Sequence, residues 1–505
     1  MTLKTTKIIV FAIICLSITK ISAQTLTWGT ASPSLKEKDA KINYTLDAKL
    51  YQTNSIYDDK KFNRTVTSNS YSLSNLNKEK TTDFSVGQPV MGLAMQTHLE
   101  MFQEKGTSNI IFLDEYNSKT KERELYWQRV NLETNERTKP AFITSMPTRN
   151  STYYISQSPN KLFYAVVKQF SFDKKLNEKI NVTLIDKNLK VIKEIVFESQ
   201  YLNKTQSEPK LYVSNQGTVF VVKEIDLAKM KPFKTVYFWD GNATTMQETS
   251  LKFENDFQIY QYQGHFDGDD FYIHGLYTRI GSKGVQMYGG SLPAAGIYAA
   301  RFNGKGEKKY IEANETGEIP GLNLKDFTFD GLKTWLFADK LFLQQKNKPP
   351  VAGAPGNYNF EKDNFYSNTA FIFGKLDNET GKLEWKKEIK YDEPNTVNDN
   401  GTFLSYLPIL NNNQLTLLYN DTQKTKIDRY VMDDRFTGFD TYDASGNLVS
   451  NSLIPETGLE LKYKYNYGFE ENFDLDTTVL VKIQDGKYIV RAKSGSNEKF
   501  GYLTF

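Results

Sequence analysis

One hairpin pattern recurs along most of this chain, and no other feature restricts its fold as strongly. In each copy a strand with alternating apolar side chains runs into a tight polar turn headed by Asn or Asp, and a second strand follows. Six copies stand out: Tyr126–Val130 before Asn131, Val182–Ile185 before Asp186, Val236–Trp239 before Asp240, Ile297–Phe302 before Asn303, Phe371–Leu376 before Asp377, and Phe436–Tyr442 before Asp443. Successive turns are 55, 54, 63, 74 and 66 residues apart, which leaves room for four short strands per unit.

Upstream of each turn lies another β-branched or aromatic run: Asn109–Leu113, Leu162–Val167, Thr218–Val222, Asp270–Ile273, Lys340–Leu343 and Gln414–Leu418. Pleated, half-buried surfaces select such residues. A further strand precedes these, as in Lys210–Ser214 and Phe403–Leu407. Four strands per repeat is the blade of a β-propeller. Apolar residues seldom recur at helical spacing, which argues against a helical solenoid. A seventh unit runs through Thr478–Val481, Lys487–Arg491 and Gly501–Phe505, and the chain stops one strand short. The pattern therefore predicts an all-β propeller of about seven blades over residues 98–505, with six or eight as alternatives because residues 51–97 are weakly patterned. Residues 24–97 would supply a closing strand, with Ile42–Leu46 as the candidate, which would hide the last open sheet edge.

The N-terminus has its own signal. Lys4 and Lys7 precede the apolar run Ile8–Ile18, too short for a stable bilayer span, and Ile21-Ser22-Ala23 places small residues ahead of Gln24. Residues 1–23 read as a signal peptide, which predicts an exported protein, periplasmic or associated with the outer membrane, or extracellular. Cys15, the single cysteine, is preceded by Ile13 and Ile14 inside the run, so a lipoprotein anchor does not fit, and the remaining chain has no cysteine for a disulfide, a thiolate or a metal. With Lys4, Lys7 and Lys20 set aside, 60 basic residues face 60 acidic ones. That balance gives no basic surplus for nucleic acid, and no later apolar run is long enough for a transmembrane helix.

In a blade lettered A to D from the inside, the Asn/Asp turns join C to D and lie on one face of the disc. The long insertions fall on the other. Three consecutive blades carry extended B-to-C connections, Arg279 to Gly296, Lys346 to Asn368 and Asn420 to Arg435. Connections of this length inside compact units are either functional or disordered. Arg279, Lys283, Tyr288, Tyr358, Phe360, Tyr366, Arg429, Asp433, Asp434 and Arg435 supply aromatic platforms and charge there, and they are the candidate ligand-binding residues.

Motifs for chemistry are sparse. With only His98, His265 and His274, a multi-histidine zinc site is hard to build, and Asp267-Gly-Asp-Asp270 lacks the spacing of an EF-hand loop and reads as a hairpin turn. Thr328–Trp335 approximates the Asp-box turn of sialidase-type propellers with its glycine, Gly331, one place early. No nucleophile elbow, phosphate loop or dinucleotide fingerprint is present, so no cofactor, metal or catalytic residue is assigned. Strand aromatics are assigned to packing between blades.

The segments Phe371–Trp385, Leu415–Asp421 and Lys499–Phe505, taken with the repeat, resemble exported, uncharacterised β-propeller-like proteins of the Bacteroidota. The resemblance spans most of residues 98–505 and implies a fold and a cell-envelope setting, with no catalytic residue to carry over. The expected function is a non-enzymatic binding or scaffold module that recognises a protein or glycan through the insertion-bearing face. The rival is a propeller hydrolase or lyase acting on carbohydrate, which would need carboxylates converging in a central pocket.

Overall fold

A computed structural model describes residues 24–505 apart from 36–40, 47, 59–62, 87–88, 91–93, 105–107, 148–150, 171–174, 204–206, 228–230, 253–256, 280–291, 348–361, 391–394, 398–402, 428–429 and 456–472. The described residues form eight antiparallel sheets, and each is a four-stranded blade or carries one further short strand. The blades follow one another along the chain: 41–86, 94–146, 152–202, 210–251, 258–319, 322–390, 407–455, and 474–504 joined by Thr25–Trp28.

Eight hydrophobic clusters, one at each junction between neighbouring blades, turn this row of sheets into a ring. Between blades 4 and 5, Phe220 and Phe271 stack with centroids 4.3 Å apart. The last junction returns to the first blade, where Leu50, Tyr71 and Leu76 pack against Ile489 and Phe500 of blade 8. A blade cannot bury both of its faces alone, so closing the ring removes the last apolar face from water.

The Asn/Asp turns behave as their chemistry predicts. Asn131 Oδ1 accepts from the backbone N–H of Glu133 at 2.8 Å, Asp240 Oδ1 from Asn242 at 2.7 Å, and Asp443 Oδ1 from Ser445 and Asn447 at 2.9 and 2.8 Å. Asp186, Asn303 and Asp377 do the same. Each side chain replaces a turn hydrogen bond that the backbone would otherwise leave to water.

The count is eight rather than seven because residues 41–86 make a blade of their own. Its C-to-D turn opens on Ser72, whose hydroxyl accepts from the Ser74 N–H at 3.2 Å, instead of on Asn or Asp. Its buried strand positions include Gln52, Asn54, Ser68 and Asn69, which erases the apolar alternation. The closing strand is accordingly Thr25–Trp28, paired with Gly501–Thr504, and Ile42–Leu46 is the inner strand of blade 1. The insertions differ too. Asn420–Arg435 is largely paired strand, and Lys346, Asn347 and Lys362–Asn368, the described residues of Lys346–Asn368, are paired as well.

Candidate functional site

Two blades depart from the common size. The B and C strands of blade 6, Lys333–Asn347 and Lys362–Asp377, have 15 and 16 residues, and those of blade 7, Gln414–Ile427 and Tyr430–Tyr442, have 14 and 13. In blades 3 and 4 the B strands have only 7. The excess is paired. Leu341–Asn347 runs against Asn368–Lys362, and Tyr419–Ile427 against Gly438–Tyr430, past the ends of both A strands. Two adjacent β-ribbons therefore rise from the face that carries the B-to-C connections.

Several sequence-predicted site residues fall on these ribbons. Tyr366 lies on the first, opposite Leu343 and also paired with Thr396 of the short strand Asn395–Val397. Asp433, Asp434 and Arg435 lie on the second, opposite Lys424, Gln423 and Thr422. Arg279 follows the blade 5 B strand, ion-paired with Glu315, and its guanidinium is 5.5 Å from the centroid of the Phe257 ring. Lys283, Tyr288, Tyr358, Phe360 and Arg429 lie outside the described residues.

Sequence reasoning missed the polar centre at the base of the ribbons. Inner strand Leu322–Asp330 of blade 6 contains a β-bulge: Leu324 pairs with Ala338 and Asp326 with Phe337, leaving Lys325 without a cross-strand partner. Blade 8 bulges more widely, its inner strand passing from Leu475 opposite Ala492 to Leu480 opposite Val490. Bulges re-aim side chains, and these two turn toward each other. Lys325 Nζ donates to Ser405 Oγ, just ahead of the blade 7 A strand, at 2.5 Å and to Thr477 Oγ1 of blade 8 at 3.3 Å. Ser405 donates in turn to Asp339, whose carboxylate also accepts from Asn368 Nδ2 at 2.9 Å. Burial pushes the Lys325 ammonium below and the Asp339 carboxyl above their usual ranges.

The network continues behind Thr477. Arg491 donates from Nε to Asp476 Oδ2 at 2.9 Å and lies 3.5 Å from Glu498, and all three side chains are almost fully buried. Glu498 also accepts from Gln52 Nε2 at 3.0 Å and from the Tyr71 hydroxyl at 3.1 Å, which ties blade 8 to blade 1. Asp339, Asp476 and Glu498 lie on a B, an A and a C strand, and their oxygens accept from basic, hydroxyl and amide partners. Such an arrangement holds geometry and presents polar groups; it does not set a free acid beside a free base.

The two histidines of blade 5 belong elsewhere. His265 and His274 stack at 5.2 Å, with Phe329 5.1 Å from His265 and Phe327 5.3 Å from His274, in the junction with blade 6. Asp270, at the end of the adjacent turn, binds Arg301 Nε at 2.8 Å. No group of three or more metal-ligating side chains occurs among the described residues.

No family model and no curated protein matches this chain. Among solved structures it is similar to the WD40 domain of SCAP from fission yeast, at 7% identity over 94% of this chain and 98% of that one, with a TM-score of 0.36. The β-propeller domain of the trilobed protease from Pyrococcus furiosus matches at 11% identity over 82% and 97%, with a TM-score of 0.33. The polysaccharide lyase Uly1 matches at 10% identity over 80% and 89%, also with 0.33.

Proposed function

We propose that the protein is a non-enzymatic binding module of the bacterial cell envelope, taking a protein or glycan on the face that bears the two ribbons. The observation that carries this reading is the pairing of the B and C strands of two consecutive blades past the ends of their A strands. Ordering each residue costs about 1–2 kcal/mol of backbone entropy. Beyond the A strand, a ribbon lacks one of the neighbours that offset this cost in the blade. Projecting elements on a rigid scaffold are where binding surfaces are built.

The test trims both ribbons. Gln344–Phe365 and Gln423–Asp434, each bounded by a register pair, are replaced by two-residue Asn-Gly turns. Affinity capture from native envelopes is then compared between trimmed and intact chains by mass spectrometry and glycan release. The trimmed protein is expected to fold and to lose ligands that the intact protein retains. A folded, trimmed protein that keeps every ligand overturns the reading. Expression with residues 1–23 checks the compartment, since export predicts a periplasmic or surface protein that begins at Gln24.

A further inference from the structure

We propose that the outer strand of blade 7, Leu448–Pro455, is a dimerisation edge, and that its occupant is the same strand of a second copy of this chain, paired antiparallel about Asn451.

The outer strand of a blade leaves one row of backbone N–H and C=O groups unpaired, and charged side chains are a common device that keeps such edges apart. The outer strands of blades 1, 3, 5 and 6 each carry three to five charged residues, and that of blade 4 is only five residues long. Leu448–Pro455 carries no charge over eight residues. Leu448 through Leu453 are all exposed, Leu448 and Val449 by 52% and Leu453 by 37%. Among the described residues the strand pairs on one side only, with Phe436–Tyr442. Ala141–Met146 of blade 2 is also uncharged, but it is shorter, its Thr144 and Met146 are buried, and its exposed Phe142 packs on Tyr126.

The register selects the occupant. From Ser450 to Pro455 the ladder to the C strand is unbroken, and Pro455, which has no N–H to give, stands opposite Phe436. Proline fits such a position with its nitrogen turned to the free edge. By alternation Leu453 and Asn451 also turn N–H and C=O outward, and an antiparallel partner must offer outward groups at the same spacing. A second copy does so when Asn451 stands opposite Asn451 on a two-fold axis. Val449 of each copy then meets Leu453 of the other, and Ser450 meets Ser452. Apolar side chains oppose apolar ones, polar oppose polar, and no like charges face each other, which is the self-complementarity a two-fold interface requires. Moving the axis to Ser450 or Ser452 would set Asn451 against Val449 or Leu453. The bulge at Val449 ends the regular ladder on one side, so the pairing is short. It holds a weak dimer, with a dissociation constant on the order of 100 µM. Antiparallel pairing inverts one disc relative to the other, so the ribbon-bearing faces of the two copies point in opposite directions.

The test uses the intact residue 24–505 protein, which contains no cysteine. Sedimentation equilibrium from about 10 µM to about 500 µM, either side of the expected constant, should show the mass rising toward that of a dimer. Asn451→Lys, which sets two ammonium groups on the axis, is expected to weaken association at least threefold and to leave the thermal midpoint unchanged. Under mild oxidation Asn451→Cys should cross-link to itself at least tenfold faster than Ser450→Cys does, whereas Ser450→Cys mixed with Ser452→Cys should give the crossed pair. Equal cross-linking of Asn451→Cys and Ser450→Cys overturns the proposal, as does an Asn451→Lys variant that associates like the wild type. So does an intact protein that stays monomeric at the highest concentration, whether or not an extended peptide binds the edge. Trimming the ribbons leaves this strand in place, so the outcome is independent of the binding reading above.

Discussion

The side-chain amide of Asn420 pairs with the backbone of Leu475 as a neighbouring strand would: Leu475 N–H donates to Asn420 Oδ1 at 2.7 Å, and Asn420 Nδ2 donates to the Leu475 carbonyl at 2.9 Å. Asn420 stands where the blade 7 ribbon leaves its sheet, and Leu475 begins the bulged inner strand of blade 8. One residue therefore fixes the root of a ribbon to the strand that presents Asp476 and Thr477.

Replacing Asn420 by Ala removes both bonds, and with them the one Nδ2 donates to the Phe403 carbonyl at 3.2 Å, and leaves three backbone groups without that partner. Each unsatisfied group costs about 1–3 kcal/mol. Asn420→Ala is expected to lower unfolding stability by about 2–4 kcal/mol, and Asn420→Asp, which keeps the acceptor but sets a carboxylate oxygen against the Leu475 and Phe403 carbonyls, by at least as much. Urea titrations followed by tryptophan fluorescence check the order. Equal midpoints for the wild type and Asn420→Ala would show that the pairing contributes nothing.

Arg491 stands between two carboxylates that are fully buried, Asp476 and Glu498. Removing one partner of a buried charge pair strands the other, at about 3–5 kcal/mol. Arg491→Met is expected to fall in that range. Arg491→Lys should recover only part of the loss, because an ammonium is a point charge and cannot reach both carboxylates with the planar fork of a guanidinium. Denaturant midpoints of the two variants decide the point.

The repeat was readable because a blade needs apolar alternation on its central strands and a side-chain acceptor at its tight turn, and blades 2 to 7 supply both. Blade 1 was obscured because its turn opens on Ser72 and its interior positions hold Gln52 and Asn69, so neither signal is present. The second ribbon reads as a loop in sequence because Asp421–Ile427 has no apolar alternation, although its backbone is paired. The polar centre was missed for a different reason. A bulge shifts the alternation by a residue, and Lys325 and Asp339 belong to blade 6, Ser405 leads into blade 7 and Asp476 belongs to blade 8, so three consecutive blades must pack before these groups meet. Long-range register of that kind has no local trace in sequence.

Packing separates two positive-φ glycines that look alike in sequence. Gly306 has φ 76°, and a Cβ there would lie 2.3 Å from the Phe238 ring of the neighbouring blade, whereas Gly268, at φ 56°, has nothing within 4 Å. Gly268→Ala is expected to cost about 1 kcal/mol from backbone strain alone. Gly306→Ala adds overpacking, for a total of about 2–4 kcal/mol. Thermal midpoints of the two variants should differ by several degrees, and equal shifts would remove the packing argument.

Burial holds His265 neutral, with its pKa lowered to about 4, and also holds His274 well below the usual imidazole range. A free imidazole titrates near 6.5, so as pH falls the unfolded chain takes up these protons first. Stability from the neutral pair is present above about pH 6.5 and is lost as pH falls from there toward 4, by on the order of 3 kcal/mol for His265. The His265→Gln variant should show a shallower decline than the wild type in urea midpoints between pH 7 and pH 4.5. Parallel curves would show that His265 does not contribute.

The ring is closed by Thr25–Trp28, which pairs with Gly501–Thr504. A Cβ on Gly501 would lie 2.6 Å from the Trp28 ring, so only glycine lets the indole lie this close to the strand, and Lys499 Nζ covers the same ring at 4.8 Å from its centroid. Gln24 reaches on to blade 7, where its Nε2 donates to Thr441 Oγ1 at 3.2 Å. Without this segment blade 8 would keep three strands and present an unpaired edge, a template for pairing with other chains. A protein beginning at residue 36 is expected to lose at least about 3 kcal/mol of stability, from the buried Leu26 and Trp28 surface and the lost strand hydrogen bonds, and to self-associate at micromolar concentration. A synthetic peptide of residues 24–35 should restore the thermal midpoint of the truncated protein and its monomeric sedimentation, because the same edge receives it. A truncated protein that stays monomeric with an unchanged midpoint would show that the ring holds without its closing strand.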